Sequence, residues 1–179
     1  MLHTLPDGTR IHLRPIEAGD KARLSLALDR LSQETIRRRF FAAKSRFSSA
    51  ELRYLTEIDG HNHLALVALL ADDPDTIVAV ARCIRLPTAS ARGLVTASLA
   101  PDTAEFAVVV GDAFQHRGLG TLLARELAGA ARAAGIRRFA ATMLGDNDAV
   151  RRLMGTISAH LELDRVEHGV REVIVELAA

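Results

Sequence analysis

Hydrophobic positions change their spacing several times along the chain, and each change predicts a different element. Ile11 and Leu13 alternate with polar residues over 10–14, which predicts a short strand ended by Pro15. Over 17–31 the apolar residues recur at helical spacing, so a helix is expected there. This part of the chain is therefore predicted to form one strand and one helix.

Two shorter helices are predicted next, from their capping residues. Ser32 marks the start of a helix that carries three arginines at 37–39, which are expected to form a solvated or salt-bridged face. Ser48 and Glu51 have the spacing of a capping box, which predicts a helix that runs to Leu55. Both helices precede two long apolar runs.

The two apolar runs cover 64–70 and 76–84, and the turn-forming residues 72–75 separate them. Together they predict a β-hairpin. The segment 87–101 is rich in Ala, Ser and Gly and has no clear period, so a long loop is expected there.

The rest of the chain alternates between strands and helices. An apolar strand is expected over 104–110, followed by an amphipathic helix over 118–134 that Gly135 ends. The elements expected after it are a strand at 138–143, a helix at 147–157 and a terminal hairpin of 161–166 and 172–177. No internal repeat is present in the sequence, and residues 1–179 are expected to form a single domain.

Composition narrows the class of protein. Of the 179 residues, 49% are hydrophobic and 25% are charged, which is typical of globular proteins. The net charge of +1 gives no general attraction to nucleic acid or to an anionic membrane, and no apolar run reaches membrane-spanning length. The single cysteine, Cys83, is expected in the core and fits a reducing compartment. A cytoplasmic protein without membrane or nucleic-acid partners is therefore expected.

A glycine-rich turn after the strand 104–110 carries the clearest chemical signal. The turn reads Gln115-His116-Arg117-Gly118-Leu119-Gly120, and it opens the long helix. Glycine lets a ligand approach the backbone closely, and the first N–H groups of a helix favour phosphate. Arg117 adds a cation at the same place. The turn is therefore predicted to cradle a diphosphate.

Two common nucleotide-binding motifs do not fit this turn. A P-loop requires a lysine after its last glycine, but here Thr121 follows Gly120. A dinucleotide fingerprint requires a third glycine, and that position is Leu123.

The Q-x-x-G-x-G spacing of the turn instead resembles the coenzyme A pyrophosphate loop of the GNAT N-acetyltransferase superfamily. The segment 37–69 is also similar to bacterial GNAT domains of the protein lysine acetyltransferase type. The resemblance implies a mixed α/β (α+β) fold, in which a mostly antiparallel sheet of about seven strands is flanked by helices. The predicted order of elements matches that fold.

The resemblance also implies acetyl-CoA as the acyl donor and assigns residues to it. These residues are Val108, Val109 and Val110 for the pantetheine arm, Gln115, His116, Arg117, Gly118, Leu119, Gly120 and Thr121 for the pyrophosphate, and Asn147. Solvated side chains at His116 and Arg117 are an equally good interpretation, and so is a helix N-cap at Asn147.

Glu105 matches the position at which the family uses a glutamate as general base, often through water. The alternative interpretation is a strand-end glutamate that faces solvent. Many family members carry a tyrosine seven residues after the asparagine, which protonates the leaving thiolate, but Met154 stands at that position here. Since the only tyrosine is Tyr54, the residue that supplies the acid stays open.

These observations together predict an enzyme that transfers acetyl groups from acetyl-CoA to a primary amine, on a protein lysine or a small molecule, with Glu105 as base. The alternative is a non-catalytic acyl-CoA-binding or regulatory module on the same fold. The loop at 87–101 is expected to border the acceptor and not the cofactor. His61 and His63 lack a third spaced ligand, so no metal is expected.

Overall fold

A computed structural model of the protein describes residues 1–87 and 102–178. In that part of the chain, eight strands form one sheet with five α-helices around it. The strands are β1 (Leu2–Thr4), β2 (Arg10–Pro15), β3 (His63–Leu70), β4 (Asp73–Arg85), β5 (Thr103–Val110), β6 (Arg138–Leu144), β7 (Ser158–Glu167) and β8 (Val170–Leu177). The helices are α1 (Lys21–Asp29), α2 (Gln33–Phe40), α3 (Ser49–Thr56), α4 (Leu119–Ala133) and α5 (Asp148–Gly155).

The sheet has the strand order β1-β2-β3-β4-β5-β6-β8-β7. Neighbouring strands are antiparallel, except that β5 and β6 are parallel. This mixed, mostly antiparallel sheet with flanking helices confirms the predicted fold class. The sheet has one strand more than the sequence predicts, since β1 is only 3 residues long and too short to show a period.

Apolar side chains on both faces of the sheet form two cores, because successive residues of a strand point to opposite faces. One core lies against α4 and contains Leu123, Leu127 and Phe139. The other lies against α1 and α3 and contains Leu24 and Val67. The strands at the centre of the sheet are therefore covered on both sides.

Cys83 lies on β4 in the core that packs against α4, as the sequence predicts. Its side chain is fully buried, and burial raises the pKa of its thiol to about 12. The thiol is therefore neutral at physiological pH and contributes to packing.

Helix ends follow the capping residues that the sequence contains. Ser48 Oγ accepts a hydrogen bond from the Glu51 N–H (3.2 Å), and the Glu51 carboxylate accepts one from the Ser48 N–H (2.8 Å). This reciprocal pair is the predicted capping box. At the end of α4, Gly135 has a φ of +79°, the left-handed conformation expected of a glycine after a helix.

Several predicted elements differ from the structure in their bounds, among them two helices. The helix expected over 17–31 begins as a 3-10 turn at Ala18–Asp20, and only Lys21–Asp29 is α-helical. The helix expected over 147–157 ends at Gly155, and β7 already begins at Ser158. Terminal turns depend on local hydrogen bonds that an apolar pattern does not reveal.

The hairpin of β3 and β4 turns earlier than the sequence predicts. β4 begins at Asp73, and its register against β3 shifts between Ala68 and Leu70, so that Pro74 falls within a bulge. A bulge tolerates proline because a bulged residue does not need to donate to the ladder.

The loop expected at 87–101 lies outside the described residues, except for Pro87. Among the helices of the described residues, none has the length and apolar character needed to cross a membrane.

Candidate active site

The site is built around a gap between β5 and β6. Their parallel pairing begins at Thr103 and ends where Glu105 pairs with Ala140. On its other edge, β5 stays paired with β4 as far as Val110. After Glu105, one edge of β5 therefore has no β6 partner in the described part of the chain.

The unpaired edge of β5 points backbone groups into this gap. The Gly111 N–H donates to the Val78 carbonyl on the β4 side (2.8 Å). Since backbone groups alternate in direction along a strand, those of Val108 and Val110 point away from β4. The Gln115 side chain donates to the Val110 carbonyl from that side (3.1 Å). The N–H groups of both valines and the Val108 carbonyl thus face the gap.

The glycine turn brings the N-terminus of α4 to the same gap. Gly118 has a φ of +83°, which glycine adopts readily, and it forms the N-cap of the helix. The first hydrogen bond of the helix runs from the Leu122 N–H to the Gly118 carbonyl (3.0 Å). The N–H groups of 119–121 precede it and have no partner within the helix. This arrangement favours an anion.

The side chains of the turn point in different directions. Gln115 and His116 line the gap. Arg117 does not, because its guanidinium forms an ion pair with Asp7 (2.7 Å). The Leu119 side chain is buried in the core, with 1% of its surface exposed. At Leu119, the backbone is therefore the part available to a ligand.

Asn147 combines both interpretations that the sequence leaves open. Its side chain caps α5, since Oδ1 accepts a hydrogen bond from the Val150 N–H (3.4 Å). It also lines the gap, although only 6% of its surface is exposed. Met154 on the same helix is fully buried and supplies no titratable group.

The gap between β5 and β6 opens into a cleft of about 600 Å³, within the range of about 300–1,000 Å³ that small-molecule sites have. Its walls come from β5, β6, α2, α5 and the N-terminus of α4. All the predicted site residues line it except Arg117 and Leu119. The sequence-predicted cofactor residues and the candidate base are thus brought together.

Glu105 stands where β5 and β6 separate. Its side chain is exposed and lines the cleft. The strand registers put it on the same face of the sheet as Arg82 on β4 and His63 on β3. The candidate base therefore belongs to a group of three polar residues on one face of three neighbouring strands.

Arg82 and His63 form a buried pair within this group. Arg82 Nη1 donates to His63 Nε2 (3.1 Å) and to the Leu55 carbonyl (3.3 Å). Burial and the Arg82 charge lower the pKa of His63 to about 4, so the ring is neutral and accepts the hydrogen bond. Burial and the nearby charge of Arg39 lower the pKa of Arg82 to about 10, which leaves it a cation at neutral pH.

The helix α2 presents its three arginines in two directions. Glu34 forms ion pairs with Arg37 (3.1 Å) and Arg38 (2.6 Å), in agreement with the predicted salt-bridged face. The prediction is wrong for Arg39, which lines the cleft together with Glu34 and Arg38 but forms no ion pair within the described residues. Arg39 lies one turn after Ile36, whose surface is 4% exposed, so both side chains are on the face of α2 that packs against the sheet.

Arg39 and Glu105 line the same part of the cleft and carry opposite charges. Burial lowers the pKa of Arg39, and the charge of Glu105 opposes that effect. Sequence reasoning missed Arg39 because it stands in a run of arginines. Its spacing of three residues from Ile36, which puts both on one face of a helix, is the signal that could have identified it.

A hydrogen-bond network ties α2 to the glycine turn. The Asp112 carboxylate accepts hydrogen bonds from the Ser32 N–H (2.8 Å), the Ser32 hydroxyl (2.6 Å) and the Thr35 hydroxyl (2.7 Å). The Gln115 amide also donates to the Thr35 hydroxyl (3.1 Å). The wall that carries Arg39 is therefore held against the turn by side chains that the sequence analysis did not single out.

Within residues 1–87 and 102–178, no three His, Cys, Asp or Glu side chains come together in a group that could hold a metal ion. His61 is exposed, whereas His63 is buried against Arg82.

The chain matches the model of the Acetyltransferase (GNAT) family over residues 30–156. This match includes β5, β6, the glycine turn and the helices α4 and α5 that form the cleft. The chain belongs to the GNAT family. The resemblance on which the sequence analysis relied is thereby confirmed.

Two relatives and one further structure show how far the GNAT likeness extends. Acetyltransferase Pat of Mycolicibacterium smegmatis is 32% identical over 152 residues, which is 85% of this chain and 42% of Pat. The GNAT domain of S. lividans PAT superposes with a TM-score of 0.83 at 30% identity, over 99% of this chain and 96% of that one. The structure of yncA from Salmonella typhimurium, solved with its cofactor acetyl-CoA, has a TM-score of 0.66 at 17% identity over 94% of each chain.

The chain thus spans less than half the length of Pat, whereas it corresponds to almost the whole GNAT domain of the S. lividans protein. The likeness to yncA is a likeness of fold.

Proposed function

We propose that this domain transfers an acetyl group from acetyl-CoA to a primary amine by direct attack, with Glu105 as the general base. The observation that carries the proposal is the convergence of three features on one cleft. These are the unpaired edge of β5, the free N–H groups at the start of α4, and the Glu105 carboxylate. Together they provide for the two ends of an acyl-CoA donor and for proton removal.

The residues present fit acetyl-CoA. The diphosphate would lie against the N–H groups of 119–121, which have no partner within the helix. The amide groups of the pantetheine arm would pair with Val108 and Val110, as an added strand pairs with a sheet edge. Asn147 lines the same cleft and is a further candidate contact. The structure of yncA with bound acetyl-CoA is a fold-level precedent for this ligand.

A general base is needed because the acceptor amine is protonated at neutral pH. A lysine-type amine has a pKa of about 10.4, so about one molecule in a thousand is neutral at pH 7. In the proposed reaction, the amine nitrogen forms a bond to the acetyl carbon while the carbon–sulfur bond breaks. Glu105 removes the amine proton, directly or through a water molecule.

The thiolate that leaves takes its proton from water in this proposal. Met154 is fully buried at the position where many family members carry an acid, and it cannot donate a proton. A thiol pKa of about 8.5 makes the thiolate a tolerable leaving group without a positioned acid.

The missing acid also favours a second candidate function. A non-catalytic acyl-CoA-binding or regulatory module would keep the same cleft without needing an acid. The two functions differ in the role of Glu105, because acetyl transfer requires a general base at this position and a binding module does not. A cytosolic location suits either function, and it is supported by the single cysteine, Cys83, which remains a free thiol.

Replacing Glu105 with Gln tests the proposal. Gln keeps the size of the side chain but cannot take a proton, so kcat for acetyl transfer is expected to fall by about 10²–10⁴-fold while acetyl-CoA affinity stays the same. Thiol release from acetyl-CoA with a panel of amines and lysine peptides measures the first quantity, and calorimetry measures the second.

Glu162→Gln is the matched control, since Glu162 lies on β7 and pairs with Arg138 (2.8 Å), away from the cleft lining. A Glu105→Gln variant with unchanged kcat, at saturating acceptor, would remove Glu105 as the base. Acetyl-CoA binding without turnover of any acceptor would favour the binding module.

A further inference from the structure

Arg39 presents its guanidinium to the cleft, where the charge of Glu105 acts on it without forming an ion pair within the described residues. Among the described residues, its guanidinium forms no hydrogen bond or ion pair with an acid. The guanidinium carbon lies over the ring of Phe40, 5.1 Å from the ring centre. An aromatic face attracts a cation but is not an anion. The neighbouring arginines of the same helix, in contrast, are both paired with Glu34.

A second cation lies under the same part of the cleft. Arg82 is 5% exposed, and its hydrogen bonds go to the neutral ring of His63 and to a backbone carbonyl. Burial and the nearby charge of Arg39 both lower the pKa of Arg82. Two other carboxylates of the cleft lining are already engaged, since Glu34 pairs with Arg37 and Arg38, and Asp112 accepts hydrogen bonds from Ser32 and Thr35. Glu105 is the cleft carboxylate whose charge acts on Arg39.

The excess of positive charge is costly unless an anion enters the cleft. Burying a cation without a partner carries a desolvation cost that a nearby anion removes. The segment 88–101 cannot supply one, because its sequence contains Arg92 and no Asp or Glu. Glu105 is also unsuited, since as the base it becomes neutral whenever it accepts a proton.

We infer that Arg39, in the field of Arg82, binds a carboxylate carried by the acceptor close to its reactive amine. The acceptor then presents an amine to Glu105 and an anion to Arg39. This chemistry occurs in free amino acids, and also in peptides whose lysine has an acidic neighbour. The guanidinium is suited to it because its planar group can hold both oxygens of a carboxylate.

The arrangement also disfavours purely cationic acceptors such as polyamines. An amine arrives protonated, and two guanidinium groups near Glu105 repel a cation that brings no negative charge. Discrimination between acceptors thus comes from attraction and from repulsion together. This inference depends on the proposed acetyl transfer, because it names the acceptor of that same site.

The test compares pairs of acceptors in which one carboxylate is replaced by a carboxamide. Acetyl-CoA-dependent thiol release is measured with free amino acids and with the carboxamide of each, and with lysine peptides that have Asp or Asn next to the lysine. For the carboxylate member of a pair, kcat/KM is expected to be at least about ten-fold higher, as a charge-assisted hydrogen bond requires. Preference confined to the free amino acids, or to the peptides, identifies the source of the carboxylate.

Two variants show whether Arg39 is responsible. Arg39→Gln is expected to reduce the carboxylate-to-amide ratio to about one, mainly through acceptor KM, while Arg39→Lys keeps part of the preference. Arg37→Gln is the matched control, because Arg37 lies two residues away on the same helix and outside the cleft lining. The control is expected to keep the wild-type ratio.

A binding measurement keeps the inference separate from catalysis. Acetate and the free amino acids are titrated into protein saturated with coenzyme A, and binding is expected to weaken about ten-fold or more in Arg39→Gln. Equal kcat/KM for acid and amide in the wild type, or carboxylate binding that Arg39→Gln leaves unchanged, would overturn the inference. Failure of acetyl-CoA itself to bind would overturn the proposed function instead, and would be seen before any acceptor is added.

Discussion

At the scale of single residues, the surroundings of a side chain decide its chemistry in this cleft. His63 is an example, because its burial and the charge of Arg82 beside it lower its pKa and keep the ring neutral. A neutral ring can accept a hydrogen bond from Arg82, whereas a protonated ring would place two cations in contact. The protonation state of His63 is therefore coupled to the stability of the folded protein.

We predict that His63→Gln makes stability less dependent on pH. The pKa of His63 is 6.5 ordinarily and about 4 in the folded protein, so the unfolded chain binds the proton first. The stabilisation is complete above pH 6.5 and is lost as the pH falls from 6.5 towards 4. Gln keeps an acceptor for Arg82 without titrating, so the wild type should lose on the order of 1 kcal/mol more than the variant between pH 6.5 and 5.

Urea unfolding at a series of pH values measures this difference. Besides Arg82, the charged or titratable neighbours of His63 are Asp59 and Tyr54, which both proteins retain, so their contributions cancel. His61→Gln on the exposed neighbouring position is the control and should follow the wild type. If the unfolding free energies of wild type and His63→Gln change with pH in parallel, the assigned pKa shift is contradicted.

The sequence predicts those residues of the site whose type and local spacing carry the signal. Glu105 and the glycines belong to one strand–turn–helix segment, so a single stretch of sequence contains them. Arg39 and Arg82 come from a helix and a strand 43 positions apart, and only the folded sheet brings them to Glu105. Their pairing depends on tertiary contacts, which a single sequence without homologues does not reveal.

At the scale of secondary structure elements, the first turn of α4 combines two demands. A helix is weakened by glycine in its interior, whereas a ligand cradle needs the space that glycine leaves. A Cβ added at Gly120 would lie 3.8 Å from Val110 Cγ2 and 4.0 Å from Leu153 Cδ2, which are ordinary contacts. The folded protein can therefore accept alanine at this position, although the cleft loses a methyl-sized space.

We predict that Gly120→Ala stabilises the protein but weakens acetyl-CoA binding. Stability should rise by about 0.4–1 kcal/mol, as for other Gly→Ala changes at compatible positions. Affinity should fall by about ten-fold or more, since an added methylene in a filled site costs about 1–3 kcal/mol. Thermal unfolding and calorimetry give the two quantities.

Gly129→Ala on the same helix is the control, because an added Cβ there meets nothing within 4 Å. It should stabilise to a similar degree and leave acetyl-CoA affinity intact. Gly118 is less suitable for this test, since its φ of +83° makes any replacement strained even without ligand. Gly120→Ala with unchanged affinity would exclude a diphosphate at the start of α4.

Elements with strong local signals were predicted well, and those set by context were not. The capping box of α3 and the glycine after α4 each depend on residues that are close together in the sequence. The start of α3 and the end of α4 were therefore predicted. β1 and the bulge at Pro74 depend on strands that lie elsewhere in the chain. For the same reason, the sequence did not indicate that α2 is tied to the glycine turn through Asp112.

At the scale of the whole molecule, the sheet consists of two parts that share a short seam. The strands β1 to β5 form one part and β6 to β8 the other, and they pair only from Thr103 to Glu105 on β5. The apolar pattern predicts most of the strands along the chain, but it does not predict the length of this seam. The cleft exists because the two parts separate after Glu105, so a ligand that bridges them joins both halves of the sheet.

We predict that acetyl-CoA raises the thermal stability of the whole domain and protects specific amides of β5. At 100 times Kd, a ligand that binds only the folded state adds about 2.7 kcal/mol, which corresponds to a rise in Tm of about 5–10 °C for a chain of this size. The N–H groups of Val108 and Val110 point into the cleft, so their hydrogen exchange should slow further than global stabilisation explains. Val109, whose N–H points toward β4, is the internal control and should slow only with the global change. Equal slowing at all three valines would show that the ligand stabilises the domain without pairing with this edge of β5, and the pantetheine arm would then have to lie elsewhere in the cleft.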